Sequence, residues 1–249
     1  MPSLVCSDPV TAYAQACLAD EVSIGEFENV RMGRLHKLAC KRHLDDLERS
    51  KDPAWPYEWK PEKALHVLKF ASMLTKKEGY QSEPLKLLDC QAFDFGCTFG
   101  WVKKKTGYRR FRRRYKSIAR QNGKTMENGI ILPYIAGFSG YKEGKLFTAA
   151  TKKRQARLAW EETKRFIEAD PDLSELFDVK DYKSTIICGH TGCTIEALSK
   201  EGGLDDGFRS VACSLDELHQ QKDNSVYEAL YKGTKALPET LVSMISTRG

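Results

Sequence analysis

The six residues Arg120-Gln121-Asn122-Gly123-Lys124-Thr125 constrain this chain more than any other stretch. A strand candidate, Tyr115 to Ala119, runs into them, and a helix-like segment leaves at Lys124. A strand, a Gly-Lys-Thr turn and a helix is how a P-loop holds a nucleotide, with backbone N–H groups at the new helix's N-terminus aimed at the phosphates. In such a loop Lys124 reaches the β- and γ-phosphates, and the Thr125 hydroxyl binds Mg²⁺. The usual G-x-x-x-x-G-K-[ST] pattern asks for glycine at 118, where this chain has Ile118. The other parts of a nucleotide site therefore have to come from elsewhere in the sequence.

One such part lies about ninety residues further on. Val211-Ala212-Cys213-Ser214-Leu215 reads as a mostly apolar strand ending in Asp216-Glu217. In a P-loop ATPase, Asp216 would hold Mg²⁺ through a water, and Glu217 would orient and deprotonate the attacking water. An isolated Asp-Glu after a strand is otherwise a helix N-terminus that favours acids. The upstream Gly-Lys-Thr turn makes the catalytic reading the better one. Other strand candidates are Lys145 to Ala150, Ser184 to Cys188, Cys193 to Leu198 and Leu241 to Ile245, the last running into Ser246-Thr247. A long helix capped by Thr151 carries Ala156, Ala159, Trp160, Thr163, Phe166 and Ile167 on one face, and Pro133 should kink or end the P-loop helix near Leu132.

The first eighty residues read as helical. Asp8 caps a helix with Pro9 at its first position and Val10, Tyr13, Ala14, Cys17 and Leu18 on one face. A second helix is expected over Val30 to Glu48, burying Leu35, Leu38, Ala39 and Leu47. A third starts near Pro61 and buries Val67, Phe70, Ala71 and Leu74. The aromatic stretch from Asp52 to Pro61 between them reads as turns. His36, Cys40 and His43 share a face of the second helix, yet no fourth ligand lies near in sequence, so an amphipathic helix is favoured over a zinc site. Cys188, His190 and Cys193 likewise read as a hairpin turn rather than half a metal site.

Between Lys103 and Arg120 lie ten Lys and Arg residues and no acid, interleaved with Tyr108, Phe111 and Tyr115. Thr106-Gly107 marks a turn, so a hairpin should lead into the P-loop strand. Such a ribbon suits phosphate backbones as well as it suits a solvated basic loop. At 249 residues, with 41% hydrophobic and 30% charged residues, the chain fits one large soluble domain or a domain with an appendage. No signal peptide and no apolar run of membrane-spanning length is present, and the eight cysteines are scattered, so a reducing intracellular compartment is expected.

Taken together these motifs resemble the N-terminal ATPase part of the large terminase subunit of tailed double-stranded-DNA phages. Ala39-Cys40-Lys41-Arg42-His43-Leu44 with Asp46-Leu47-Glu48 resembles that family's helical signature, and Leu88-Asp89-Cys90-Gln91 its adenine motif. Arg109-Arg110-Phe111-Arg112, then Ala119 to Thr125, resembles its divergent Walker A strand and loop, where an arginine is common and the first glycine is missing. Ala149-Ala150-Thr151-Lys152 with Gln155-Ala156, then Leu204-Asp205 to Gly207 with Leu215 to His219, and finally Ser246-Thr247-Arg248-Gly249, complete the order. An additional residue in Asp205-Asp206-Gly207, Ser214 in place of a large apolar residue, Arg248 in place of a small one and Pro133 inside the P-loop helix depart from the pattern.

The resemblance implies an α/β fold: an ASCE-type P-loop NTPase with a central, mostly parallel sheet flanked by helices. It places an α-helical lid region over residues 1–80 and the ATPase core over 81–249. It assigns ATP and Mg²⁺ as cofactors, with Gln91, Arg120, Gln121, Asn122, Gly123, Lys124 and Thr125 binding nucleotide. Thr125 and Asp216 would hold the metal, Glu217, Lys124 and Arg120 would act in catalysis, and Ser246 and Thr247 would couple hydrolysis to movement. A trans-acting arginine would be one of Arg154, Arg157 and Arg209. The implied partners are double-stranded DNA, a small terminase subunit, the portal and further copies in a ring, in the host cytoplasm and away from membranes. The family's nuclease half has no counterpart before Gly249, so no nuclease activity is expected of this chain. A helicase, or a DNA-binding fragment that does not hydrolyse ATP, is the alternative.

Overall fold

Helix α1 (Pro9–Ala19) begins as its sequence dictates. Asp8 Oδ1 accepts from the backbone N–H groups of Val10 and Thr11 at 3.1 and 2.9 Å, and Pro9 occupies the first position. The computed structural model describes residues 8–24, 27–78, 81–119, 122–150, 153–199, 209–220, 223–235 and 237–247. The chain divides into two compact units, Met1–Ser72 with Lys86–Phe111, and Met73–Leu85 with Arg112–Gly249.

In the first unit, α2 (Arg34–Arg49) starts four residues later than Val30 and turns a different face inward. Leu35 and Leu38 are exposed, while Cys40, His43 and Asp46 are buried. The reason is satisfaction of the polar atoms. Trp101 Nε1 donates to His43 Nδ1 at 3.0 Å, and Thr11 Oγ1 lies 3.0 Å from His43 Nε2. Arg110 Nη1 donates to Asp46 Oδ2 at 2.6 Å and Arg49 to Oδ1 at 3.1 Å. Polar groups paired in this way cost little to bury. The aromatic stretch before α3 (Pro61–Met73) is not all turn, because β1 (Tyr57–Trp59) pairs antiparallel with β4 (Trp101–Lys103). Helix α4 (Asp89–Gly100) precedes β4 and packs on α1 so closely that a side chain at Gly96 would collide with Val10.

The second unit holds a short antiparallel pair, β2 (Thr75–Glu78) with β3 (Gln81–Pro84), and a seven-stranded sheet. Its order is β5 (Arg113–Ser117), β11 (Leu241–Ser246), β10 (Ala212–Leu215), β6 (Lys145–Ala150), β9 (Thr194–Ser199), β8 (Thr185–Cys188) and β7 (Phe177–Lys180). The first five run parallel, and the last two add antiparallel at one edge. Helices cover both faces of the central strands. Val242 and Met244 of β11, with Cys213 and Leu215 of β10, pack against Val226 and Leu230 of α7 (Ser225–Thr234). The alternate residue Ser243 faces α5 (Lys124–Phe138), where it donates to Asn128 Oδ1 at 2.7 Å. Burial on both faces is why these strands read as continuous apolar runs, with Ser214 buried inside β10.

Helix α5 runs through Pro133 without ending at Leu132. A proline inside a helix costs about 3 kcal/mol. Burial of Ile130, Ile131, Leu132, Tyr134 and Ile135, on a helix packed against α6 (Lys153–Ala169) and the sheet, offsets that cost. Among the described residues no helix is long and apolar enough to cross a membrane.

Candidate active site

Parallel strands bring their carboxyl ends to one edge of the sheet, and the polar residues that follow β5, β10 and β11 gather there. Gly123 adopts a left-handed conformation (φ 70°, ψ 19°) as the chain turns into α5, a geometry that favours glycine. It caps α5 without a side-chain hydrogen bond, so the first-turn N–H groups remain a ready anion site. At 118 the chain is still bonded as sheet, since Ile118 N–H donates to Ser246 O at 3.3 Å. That bond explains why no glycine is needed at this position. Asn122 is exposed and bonds Ala119 O at 3.4 Å. Arg120, Gln121 and the Lys124 side chain lie outside the described residues, as do Asp205, Asp206, Gly207, Thr151 and Arg248.

Thr125 Oγ1 donates to Asp216 Oδ2 at 3.4 Å across the start of α5 and the end of β10. A hydroxyl and a carboxylate meeting in this way are hard oxygen donors of the kind Mg²⁺ takes. Glu217 follows with a left-handed backbone (φ 50°), unusual for a side chain of its size, and its N–H donates to Asp216 Oδ1 at 2.7 Å. The turn aims its carboxylate at the end of β11, where Thr247 Oγ1 donates at 3.1 Å to Oε2 and 3.3 Å to Oε1.

His219 completes the group. Its Nδ1 lies 3.1 Å from Glu217 Oε2, 3.2 Å from Ser246 Oγ and 3.3 Å from the Thr247 N–H. Unprotonated, Nδ1 accepts from the Thr247 N–H. Protonated, it can donate to Glu217. Its position beside two acids in the sequence carried no signal, because its partners arrive only with β11.

The basic stretch does not form a free ribbon. Arg114 is buried and Lys116 half-buried against Glu127 of α5, with Lys116 Nζ at 2.6 Å and Arg114 reaching the other oxygen, and Arg114 also donates to Ser243. Arg112 binds Thr234 O, Leu237 O and Thr240 Oγ1. Arg110 is held by Asp46, and Lys104 by the carbonyls of Ser50 and Asp52. Of the stretch's described cations, Lys105 and Arg113 are exposed. The expected hairpin survives as a tight turn, with Lys103 N–H on Tyr108 O and a single bridge between Val102 and Arg109. Among the arginine-finger candidates, Arg157 is tied to Asp181, Ser184 and Glu161, while Arg154 and Arg209 are exposed. In the first unit, Gln91 is buried and its Oε1 accepts from Leu88 N–H at 2.9 Å, capping its own helix. Cys188, His190 and Cys193 close a hairpin: His190 bonds Cys188 Sγ through Nδ1 and Gly137 O through Nε2.

A mainly parallel sheet, a left-handed glycine opening α5 after β5 and an acid pair at the end of β10, with β11 between the two strands, define a P-loop NTPase. The chain belongs to the family of the terminase large subunit, ATPase domain, whose model matches residues 89–249. It is 26% identical over 135 residues to the terminase large subunit of Enterobacteria phage HK97, an alignment covering 53% of this chain and 27% of that protein. The crystal structure of the HK97 bacteriophage large terminase superposes with a TM-score of 0.64 at 21% identity, over 74% of this chain and 37% of that one, and shows the shared fold. The chain thus spans well under half the length of these relatives. The family match displaces the helicase alternative.

Proposed function

We propose that this chain hydrolyses Mg-ATP and, within a phage large terminase, couples that hydrolysis to moving double-stranded DNA into the procapsid. One observation carries the reading: Thr125, Asp216, Glu217 and Thr247 converge where α5 begins and where β10 and β11 end. Thr125 and Asp216 would hold Mg²⁺, which when bound neutralises charge on the phosphate oxygens. The first-turn N–H groups of α5 and Lys124 cradle the phosphates, with Arg120 at the γ-phosphate. Glu217 accepts the proton of the attacking water, and its carboxylate is already oriented by the Thr247 hydroxyl. His219 is a positioning residue that links Glu217 to Ser246. A change at Glu217 is therefore felt directly at the end of β11, which is the coupling role proposed for Ser246 and Thr247.

Gln91 as reader of adenine, Arg154 or Arg209 as an arginine supplied to a neighbouring copy, and the small subunit and portal as partners in the host cytoplasm belong to the same proposal. The test is ATP turnover by the purified chain, with and without double-stranded DNA, beside Lys124→Ala. Turnover that rises with protein concentration and DNA, and is lost in Lys124→Ala, is expected. ATP binding without turnover at any protein concentration would favour a DNA-binding fragment that does not hydrolyse ATP.

A further inference from the structure

The metal cluster that one face of α2 could not complete is completed by α1. Cys17 of α1 and His36 and Cys40 of α2 bring two Sγ atoms and a ring nitrogen within 4.8 Å of one another. His36 and Cys40 lie one turn apart on α2, and the packing of α1 on α2 brings Cys17 to them. His43, the other candidate of that face, points instead to Trp101 and Thr11. Cys17 and Cys40 are fully buried free thiols and His36 is half-buried.

The Tyr13 hydroxyl lies 2.8 Å from His36 Nε2. A tetrahedral zinc ion with Zn–S near 2.3 Å and Zn–N near 2.0–2.1 Å needs ligand atoms about 3.4–3.8 Å apart. Small side-chain rotations bring the cluster to that spacing. Two thiols and an imidazole match zinc's ligand preference, whereas Mg²⁺ takes oxygen. A hydroxyl on the ligand histidine is the outer contact that fixes a ring's tautomer and orientation.

We propose that Cys17, His36 and Cys40 form a zinc site joining α1 to α2. The site lies within the first unit and both thiols are buried, so its role is to hold the two helices together. Metal removal by a chelator then loosens the helices.

The test uses the full chain, purified reduced and without chelator. Elemental analysis should give about one zinc per chain. Replacement by Co²⁺ should give the thiolate-to-cobalt charge-transfer band and the strong visible absorption of a tetrahedral site. His36→Ala, half-buried and expected to fold, should weaken zinc retention against a chelator by more than about tenfold. Cys213→Ser, in the second unit, should leave the metal in place. A folded, reduced chain that takes up neither zinc nor cobalt overturns the proposal. So does zinc held as tightly by a folded His36→Ala chain.

Discussion

Two glutamates beside the P-loop helix have opposite fates. Glu127, in the first turn of α5, is wholly buried between Arg114 and Lys116 of β5. Glu217, at the end of β10, keeps 27% of its side chain exposed and is held by the Thr247 hydroxyl and the His219 ring. A carboxylate sealed between two cations meets no water and braces the P-loop strand against its helix. A carboxylate oriented by a hydroxyl at an open edge can take a proton from water. The difference lies in what surrounds each residue, and it separates the brace from the candidate base.

The strongest way to break this comparison is by stability. Glu127→Ala removes the buried carboxylate that pairs with Arg114 and Lys116 and should cost about 3–5 kcal/mol in urea unfolding. Glu217→Ala removes a half-open side chain and should cost less than about 1 kcal/mol. Equal losses would erase the distinction.

Next is acid, which probes a third case, a titratable group buried without charge. Burial pulls His43 down from its ordinary 6.5 to about 4, against the opposing pull of Asp8 and Asp46 and with a smaller push from Arg42. The folded chain keeps His43 neutral while the unfolded chain takes up a proton below about 6.5. Its contribution is therefore complete above that pH and lost as the pH falls towards about 4, on the order of 3 kcal/mol in all. Urea midpoints measured across that range check it, with His43→Gln expected to flatten the dependence.

A smaller effect sharpens the role of Glu217. Thr247→Ala removes one of the groups that orient its carboxylate and should lower kcat about tenfold, or about 1.4 kcal/mol, with ATP affinity little changed. An affinity loss at constant kcat would assign Thr247 to nucleotide binding instead. Smallest is Lys105→Ala, which should reduce the salt dependence of DNA binding by no more than about one counterion and leave stability unchanged. A larger drop would restore the basic stretch as a principal DNA contact.

The polar edge of the sheet was legible because a parallel sheet writes it locally: strand, then polar residues, three times over at Gly123-Lys124-Thr125, Asp216-Glu217 and Ser246-Thr247. What was hidden depended on distant partners. The buried face of α2 is decided by Arg110 and Trp101, far along the chain, so Leu35 and Leu38 lost to His43 and Asp46. The dense run of cations read as a surface because its main counter-charge, Glu127, follows only after the P-loop turn. Pro133 read as a helix end because periodicity does not weigh the burial that carries α5 through it. Cys17 escaped notice as a ligand for the same reason as His219: each meets its neighbours only through packing.

In the proposed mechanism Glu217 activates water at a Mg-ATP site. Glu217→Gln keeps the shape and removes the base, so ATP binding and turnover should be measured side by side on this variant and the unaltered chain. Binding within a few-fold and turnover lowered by about a hundred- to ten-thousand-fold are expected. Undiminished turnover in folded Glu217→Gln would rule Glu217 out as the base.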